Sequence, residues 1–238
     1  MQRCFVVIPT YNEAENLPLI VPQVLERDER IEVLVVDDDS PDGTGRIADD
    51  LAAETERVHV CHRKAKQGIG AAYRAGLTLA LELGADVVIQ MDADFSHPPE
   101  TIDLMLNEIE EYDIVLGSRY LNGITVVNWS IERILLSYFA NIYARKITGL
   151  PIKDITGGFR CMTRSILLAS GFERSQSEGY AFQIEMNYRF AKAGARIKEI
   201  PFFFVDRTRG ESKLDYRISF EALWRVWWLR LAHALGRL

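Results

Sequence analysis

The chain has 238 residues, 48% hydrophobic and 26% charged, with 28 Lys+Arg against 34 Asp+Glu for a formal net charge of −6. That composition is expected of an ordinary soluble protein with an ample core: one large α/β domain, or one domain with a helical appendage. It excludes a uniformly basic nucleic-acid binder, and no run reaches the ~18 uncharged apolar residues that a bilayer-spanning helix needs.

Charge is unevenly spread: residues 1–113 hold 9 Lys+Arg against 24 Asp+Glu, and residues 114–238 hold 19 against 10. An acidic half suits a metal and neutral ligands and a basic half suits phosphates or an anionic membrane, although ordinary helix surfaces give the same split. Cys4, Cys61 and Cys161 form no CxxC pair and sit in or beside apolar segments, which predicts buried, reduced thiols and a cytosolic setting. The chain opens directly into an apolar strand, with no signal peptide expected ahead of it.

In chain order, strand 4–8 leads through Pro9-Thr10-Tyr11-Asn12-Glu13 into a helix over about 14–28. Strand 31–36 runs into the acidic turn 37–43, followed by a helix over about 44–54, strand 57–61, helix 71–83 and strand 86–91. One more helix precedes strand 113–117. This alternation predicts a mostly parallel sheet covered by helices, with right-handed crossovers and the loops 9–13, 37–43 and 92–99 on one edge. Beyond residue 120 the pattern predicts a helix over 129–148, a loop over 154–160, a helix over 179–193, strand 196–204 and a polar segment 206–215. A last helix is expected over 217–237, with Trp224, Trp227, Leu231 and other apolar residues interleaved with Arg225, Arg230, His233 and Arg237. Neither repeats nor a linker divide the chain.

The most informative segment is Asp92-Ala93-Asp94, shortly after the buried-strand run Val87-Val88-Ile89. Carboxylates at i and i+2 of an extended segment point the same way, so Asp92 and Asp94 can converge on one hard cation holding a diphosphate, at the strand end where open α/β sheets bind ligands. A solvated turn is the competing reading. Tyr11 offers a face for a base, Glu13 an acceptor, and Asp37-Asp38-Asp39 acceptors for a nucleoside, each also explicable as turn chemistry. Gly68-Ile69-Gly70 has Tyr73 where a third glycine belongs and lacks the strand context of a dinucleotide fingerprint. Arg119, Arg133, Arg207, Arg209 and Lys213 fall in or near loops of the basic half and are phosphate-clamp candidates, since a guanidinium grips phosphate as a fork. The four histidines make no ligand set for zinc.

In combination and order, these segments resemble family 2 glycosyltransferases of the GT-A fold, and among them the polyprenol-phosphate (dolichol-phosphate) mannose synthases. The resemblance runs from Val6-Val7-Ile8-Pro9-Thr10-Tyr11-Asn12-Glu13 through Asp37-Asp38, Ser40-Pro41-Asp42-Gly43-Thr44, Met91-Asp92-Ala93-Asp94-Phe95-Ser96-His97-Pro98 and Gly117-Ser118-Arg119-Tyr120. It continues to Asp154-Ile155-Thr156-Gly157-Gly158-Phe159-Arg160 and Gly210-Glu211-Ser212-Lys213. It implies that Pro9, Tyr11, Glu13, Val36 and Asp38 hold the guanosine of GDP-mannose. Asp92, Ala93 and Asp94 would hold sugar, diphosphate and a Mg²⁺ or Mn²⁺ ion. Ser96, where some relatives carry Gln, would be a weaker metal ligand, and Arg119, Arg207 and Lys213 would bind phosphates.

The chemistry so implied is transfer of mannose to dolichyl or polyprenyl phosphate with inversion. Asp94, Arg119, Arg133 and Arg207 would be central; a lipid phosphate ionised at neutral pH needs positioning more than a general base. The resemblance also implies one catalytic domain: residues 1–120 for nucleotide sugar and metal, 121–215 for the acceptor, and 216–238 as an amphipathic helix. It further implies a short form, peripheral on the cytoplasmic face of a membrane, docking directly or through a separate membrane subunit. The 129–148 helix and the C-terminal helix are candidates for that docking, or for core and dimer contacts. Transfer of glucose or N-acetylglucosamine from a UDP-sugar, a non-catalytic membrane-surface module, and a phosphatase with an Asp-x-Asp nucleophile are the competing readings.

Overall fold

The computed structural model describes residues 2–206 and 224–232. β1 (Cys4–Thr10), β2 (Ile31–Asp37), β3 (Val58–His62) and β4 (Val87–Gln90) are parallel neighbours in the order β3-β2-β1-β4. The sheet continues through β7 (Arg160–Thr163), β5 (Ile114–Ser118) and β8 (Ile197–Pro201), giving seven strands in all. β7 alone runs antiparallel, between β4 and β5. A two-stranded ribbon pairs β6 (Val126–Val127) with β9 (Phe204–Val205).

Side-chain alternation along the strands sends residues to two apolar layers. Val6 and Ile8 pack on one face with α1 (Leu17–Leu25), α2 (Thr44–Glu54) and α4 (Thr101–Glu108). Phe5 and Val7 pack on the other with α3 (Ile69–Glu82), α6 (Arg164–Ser170), α7 (Gly179–Lys192) and the inner ends of α5 (Ile131–Thr148) and α8 (224–232). The fold is thus the expected mostly parallel α/β sheet covered by helices.

Three details differ from the sequence reading. The segment read wholly as a loop over 154–160 leads directly into strand β7, whose register with β4 sets Gln90 opposite Arg160. The strand expected over 196–204 is two, because Phe202 and Phe203 carry the chain from the main sheet to the ribbon. Helix α1 begins at Leu17, since residues 14–16 form a turn in which Leu17 N–H donates to the Glu13 carbonyl at 2.9 Å. Cys4 and Cys161 are buried and Cys61 half-buried, all three as free thiols. Of the expected helix 217–237, only 224–232 lies within the described residues.

Candidate active site

The C-terminal ends of β1, β2, β4, β5 and β8 share one edge, and the antiparallel β7 brings its N-terminal end, Gly157-Gly158-Phe159, to the same place. A cavity of about 450 Å³ opens there, within the size range of small-molecule sites. Pro9, Tyr11, Glu13, Asp38, Asp92, Ala93, Asp94, Ser96, Arg119 and Arg133 all line it. Val36 does not: its side chain is fully buried within β2, and its carbonyl accepts from Thr10 Oγ1 at 3.4 Å. Arg207, Arg209 and Lys213 lie outside the described residues.

The Asp-x-Asp segment is a bend rather than the extended continuation of β4, and Phe95 takes a left-handed φ of 61°. A bulky residue pays strain in that region, a feature that clusters at functional sites. Each carboxylate has its own anchor. Asp92 Oδ1 accepts from the fully buried Tyr73 hydroxyl at 3.1 Å, and Asp94 Oδ1 accepts from Ser96 N–H at 3.1 Å. His97 holds the backbone of the bend: its Nδ1 accepts from Asp92 N–H at 3.0 Å, and its ring stacks on Phe159 at 4.6 Å. Burial pushes the imidazole pKa down, against the opposing pull of Asp92 and Asp94, which keeps Nδ1 available as an acceptor.

Among the described residues no group of three His, Cys, Asp or Glu side chains encloses a metal. Ser96 Oγ is nevertheless buried beside Asp94 without a hydrogen-bond partner. One or two carboxylates, a hydroxyl and open positions fit a hard divalent ion that completes its shell with diphosphate oxygens and water.

At the end of the cavity nearest β2, the acidic turn divides its labour. Asp37 is structural, accepting from Ser40 Oγ at 2.6 Å and from Thr10 Oγ1 at 3.2 Å. Ser40, Asp42 and Thr44 strap this turn to the loop after β1 by accepting from the backbone N–H groups of Asn12, Ala14 and Glu13. Asp38 pairs with Arg63; burial raises its pKa and the guanidinium only partly offsets that. Tyr11 presents its ring as expected, but Lys66 Nζ lies 3.9 Å from the ring centroid, occupying a face proposed for a base. Lys66 has no regular spacing to mark it in the sequence.

Arg119 is less a free phosphate ligand than its position in a loop implied. It grips the buried Asp154 through Nε and Nη2, both at 2.7 Å, its own backbone N–H binds the same carboxylate at 2.9 Å, and Nη2 reaches Thr156 Oγ1 at 2.9 Å. Burial alone would lower its pKa; Asp154 more than reverses that and holds it above the usual arginine value. Nη1 makes no hydrogen bond to the described residues. Arg133 lies over the Trp129 ring at 4.1 Å and pairs with Asp206 at 2.6 Å.

The Gly68-Ile69-Gly70 segment opens α3, and the chain's own Glu178 fills that helix terminus, accepting from Gly70 N–H at 2.7 Å and from Arg74 at 2.9 Å. A Cβ at Gly70 would lie 2.6 Å from the Ser177 carbonyl, so the glycine serves close packing rather than a pyrophosphate. Tyr73, His97, Asp154 and Glu178 are the supporting residues that spacing did not reveal; His97 was legible only as part of a turn.

A parallel sheet that gathers acidic turns and arginines around one cavity at its strand ends is the architecture of a nucleotide-sugar transferase, and the chain belongs to glycosyl transferase family 2, whose model matches residues 5–170. It is 45% identical over 233 residues to the polyprenol monophosphomannose synthase of Mycolicibacterium smegmatis, spanning 96% of this chain and 88% of that protein. To the undecaprenyl-phosphate mannosyltransferase of Micrococcus luteus it is 45% identical over 224 residues, spanning 94% and 92%. Among solved structures, glucosyl-3-phosphoglycerate synthase from Mycobacterium tuberculosis, crystallised with Mn²⁺, UDP and its product, shares the fold at a TM-score of 0.69 and 18% identity over 96% of this chain and 80% of its own.

Proposed function

We propose that the protein transfers mannose from GDP-mannose to the phosphate of a polyprenol, of the dolichyl or undecaprenyl kind, releasing GDP. The observation that carries this reading is the joining of the Asp-x-Asp bend, the orphan Ser96 hydroxyl and two arginines in one cavity. It occurs in a chain whose relatives along nearly its whole length are named as polyprenyl-phosphate mannosyltransferases.

Asp92, Asp94 and Ser96 would hold Mg²⁺ or Mn²⁺, which when bound offsets the charge of the departing diphosphate. Tyr73, Ser96 N–H and His97 keep the bend in one geometry, so nothing need reorganise as that charge develops. Pro9, Tyr11, Glu13, the main chain at Val36 and Asp38 would bind the nucleoside, with Lys66 moving off Tyr11 to admit the base. Arg119 and Arg133 supply preorganised positive charge where two anions approach. The acceptor phosphate is ionised at neutral pH and attacks the anomeric carbon from the face opposite GDP, with inversion, and its positioning does the work of a general base. Arg207 and Lys213 join the phosphate-binding set by resemblance. By resemblance, residues 1–120 would serve chiefly the nucleotide, diphosphate and metal and 121–215 chiefly the acceptor in one catalytic domain.

The outer helices support membrane contact. Ile131 is 71% exposed and Trp224 72%, and Leu135, Leu136, Phe139, Trp227 and Leu231 are also exposed. The apolar residues Ile131, Leu135, Leu136, Tyr138 and Phe139 of α5 therefore point outward, with Ile147 turned into the core. Trp227 Nε1 donates to Tyr143 on α5 at 3.0 Å and Arg230 to the Ile147 carbonyl at 2.8 Å, which joins the helices into one apolar surface flanked by arginine. Such a surface suits the headgroup level of a membrane, on the cytoplasmic side where nucleotide sugars are available. No helix among the described residues is long and apolar enough to cross it.

The test is transfer of radiolabelled sugar from GDP-mannose into detergent-dispersed polyprenyl phosphate, with Mg²⁺ or Mn²⁺ and with EDTA, using Asp94→Ala as control. Metal-dependent label from GDP-mannose, lost in the variant, is the expected result. Label from UDP-glucose or UDP-N-acetylglucosamine instead corrects the donor. Failure with every donor, in detergent and in membranes supplying a partner subunit, overturns the reading.

A further inference from the structure

Gln183, in the second turn of α7, is 5% exposed and lines the cavity. Its Oε1 accepts from Nη2 of Arg160. Arg160 is fully buried and has no carboxylate in ion-pair range among the described residues; its remaining partners are the Gly157 carbonyl at 3.0 Å and Asn187 Oδ1 at 3.2 Å. This contact decides which way the amide faces, since the flipped amide would set NH₂ against a guanidinium that can only donate. Nε2 consequently points away from Arg160 and toward Gly158, where a Cβ would lie 2.9 Å from it. Nε2 makes no hydrogen bond to the described residues, and its open side is the cavity.

A neutral NH₂ donor suits a sugar hydroxyl, and for phosphate the cavity already has the charged Arg119 and Arg133. Gln183 is also grouped with the acidic bend. Phe182, the residue before it, stacks on Tyr73 at 6.0 Å, and the Tyr73 hydroxyl binds Asp92. Gly157 and Gly158 keep this part of the wall free of side chains, as a wall that a sugar ring approaches requires. Resting on the donor reading above, we propose that Gln183 reads a hydroxyl of the transferred hexose, and that Arg160 is a positioning residue that holds the amide with its donor end toward the sugar.

The experiment is calorimetric binding of GDP and of GDP-mannose with Mn²⁺ and without acceptor lipid. It compares the wild type with Gln183→Met (similar length, no donor), Gln183→Glu (a carboxylate toward Arg160, no NH₂) and Arg160→Lys. Both Gln183 variants are expected to lose roughly tenfold in affinity for GDP-mannose, the scale of one hydrogen bond, with GDP binding unchanged. Arg160→Lys is expected to show a smaller loss with the same sugar-only signature. Equal losses for GDP and GDP-mannose would place Gln183 at the diphosphate and overturn the proposal. Unchanged donor affinity, with or without a raised KM for polyprenyl phosphate, would overturn it too. A lower melting temperature in Arg160→Lys with both affinities intact would reduce Arg160 to a packing role. If the wild type binds UDP-glucose rather than GDP-mannose, the donor reading fails by itself, and the same variants with UDP and UDP-glucose test Gln183 separately.

Discussion

Asp154→Ala isolates the buried ion pair at the cavity wall. Asp154 is 1% and Arg119 5% exposed, and the carboxylate takes three donors from Arg119 alone at 2.7–2.9 Å. Removing it strands a guanidinium in a site walled by Trp129, Tyr120 and Phe204, each about 5.6 Å from the charge centre. Breaking a buried pair from one side costs about 3–5 kcal/mol, chiefly because the survivor stays charged and unpaired. For a chain of this size that converts to a melting temperature lower by roughly 6–20 °C. Asp154→Asn, which keeps the shape and part of the hydrogen bonding, should cost about half as much. The double variant Arg119→Met/Asp154→Leu removes both charges and should recover most of the loss, so urea denaturation of the wild type, Arg119→Met, Asp154→Leu and the double variant reads the coupling directly. A cost below about 1 kcal/mol for Asp154→Ala, or a double variant as unstable as the sum of its parts, would refute the argument that Arg119 is a neutralised, rigidly held cation.

Tyr73→Phe keeps the buried ring and removes the hydroxyl that binds Asp92; Mn²⁺ affinity in the presence of GDP, read by electron paramagnetic resonance, should weaken roughly tenfold, the scale of a hydrogen bond to a charged group, and unchanged affinity would deny Asp92 its anchor. At the far end of the sheet, Glu32 accepts from Arg3 at 2.7 Å and His59 at 2.7 Å, and although burial acts in the opposite direction these partners hold its pKa below the ordinary 4.5. A depressed folded-state value makes this contribution complete above about 4.5 and progressively lost as pH falls through the folded value; Glu32→Gln should flatten the acid limb of stability against pH, measured by denaturation between pH 3 and 7. Leu135→Glu with Phe139→Glu alters only exposed positions, so melting should be unchanged while co-sedimentation with anionic vesicles falls several-fold; retained sedimentation would move the membrane contact elsewhere.

The legible parts of this molecule are those whose physics is local. A charge-free strand followed by Pro-Thr-Tyr-Asn-Glu, or by Asp-Ala-Asp, announces a buried parallel strand and a polar turn at its end, because burial and turn chemistry act on neighbouring residues. Strand β7 was illegible for the opposite reason. Arg160-Cys161-Met162-Thr163 carries a charge at its head and no clear alternation, and becomes a strand because β4 and β5, both distant in sequence, leave a slot between them. Arg160 reads as a loop cation until Gly157, Gln183 and Asn187 surround it. The extended Asp-x-Asp geometry expected from a strand periodicity was likewise replaced by a bend, which His97 and Tyr73 stabilise from outside the motif.

The same distinction bears on where positive charge for a diphosphate would come from. In many α/β sites a glycine-rich helix opening supplies it through exposed N–H groups, and Gly68-Ile69-Gly70 at the start of α3 invites that reading. Here the terminus is filled by the Glu178 carboxylate, itself paired with Arg74, and the glycines are the means of its close approach. An incoming phosphate would have to displace an intramolecular anion to use it. The described cavity-lining cations are Lys66, Arg119 and Arg133, and Arg119 is already balanced by Asp154. Two anionic substrates would carry more charge than these described side chains offset. On the proposed function, a divalent ion at Asp92, Asp94 and Ser96 would supply the balance together with Arg207 and Lys213, and the orphaned Ser96 hydroxyl is the observation that supports it.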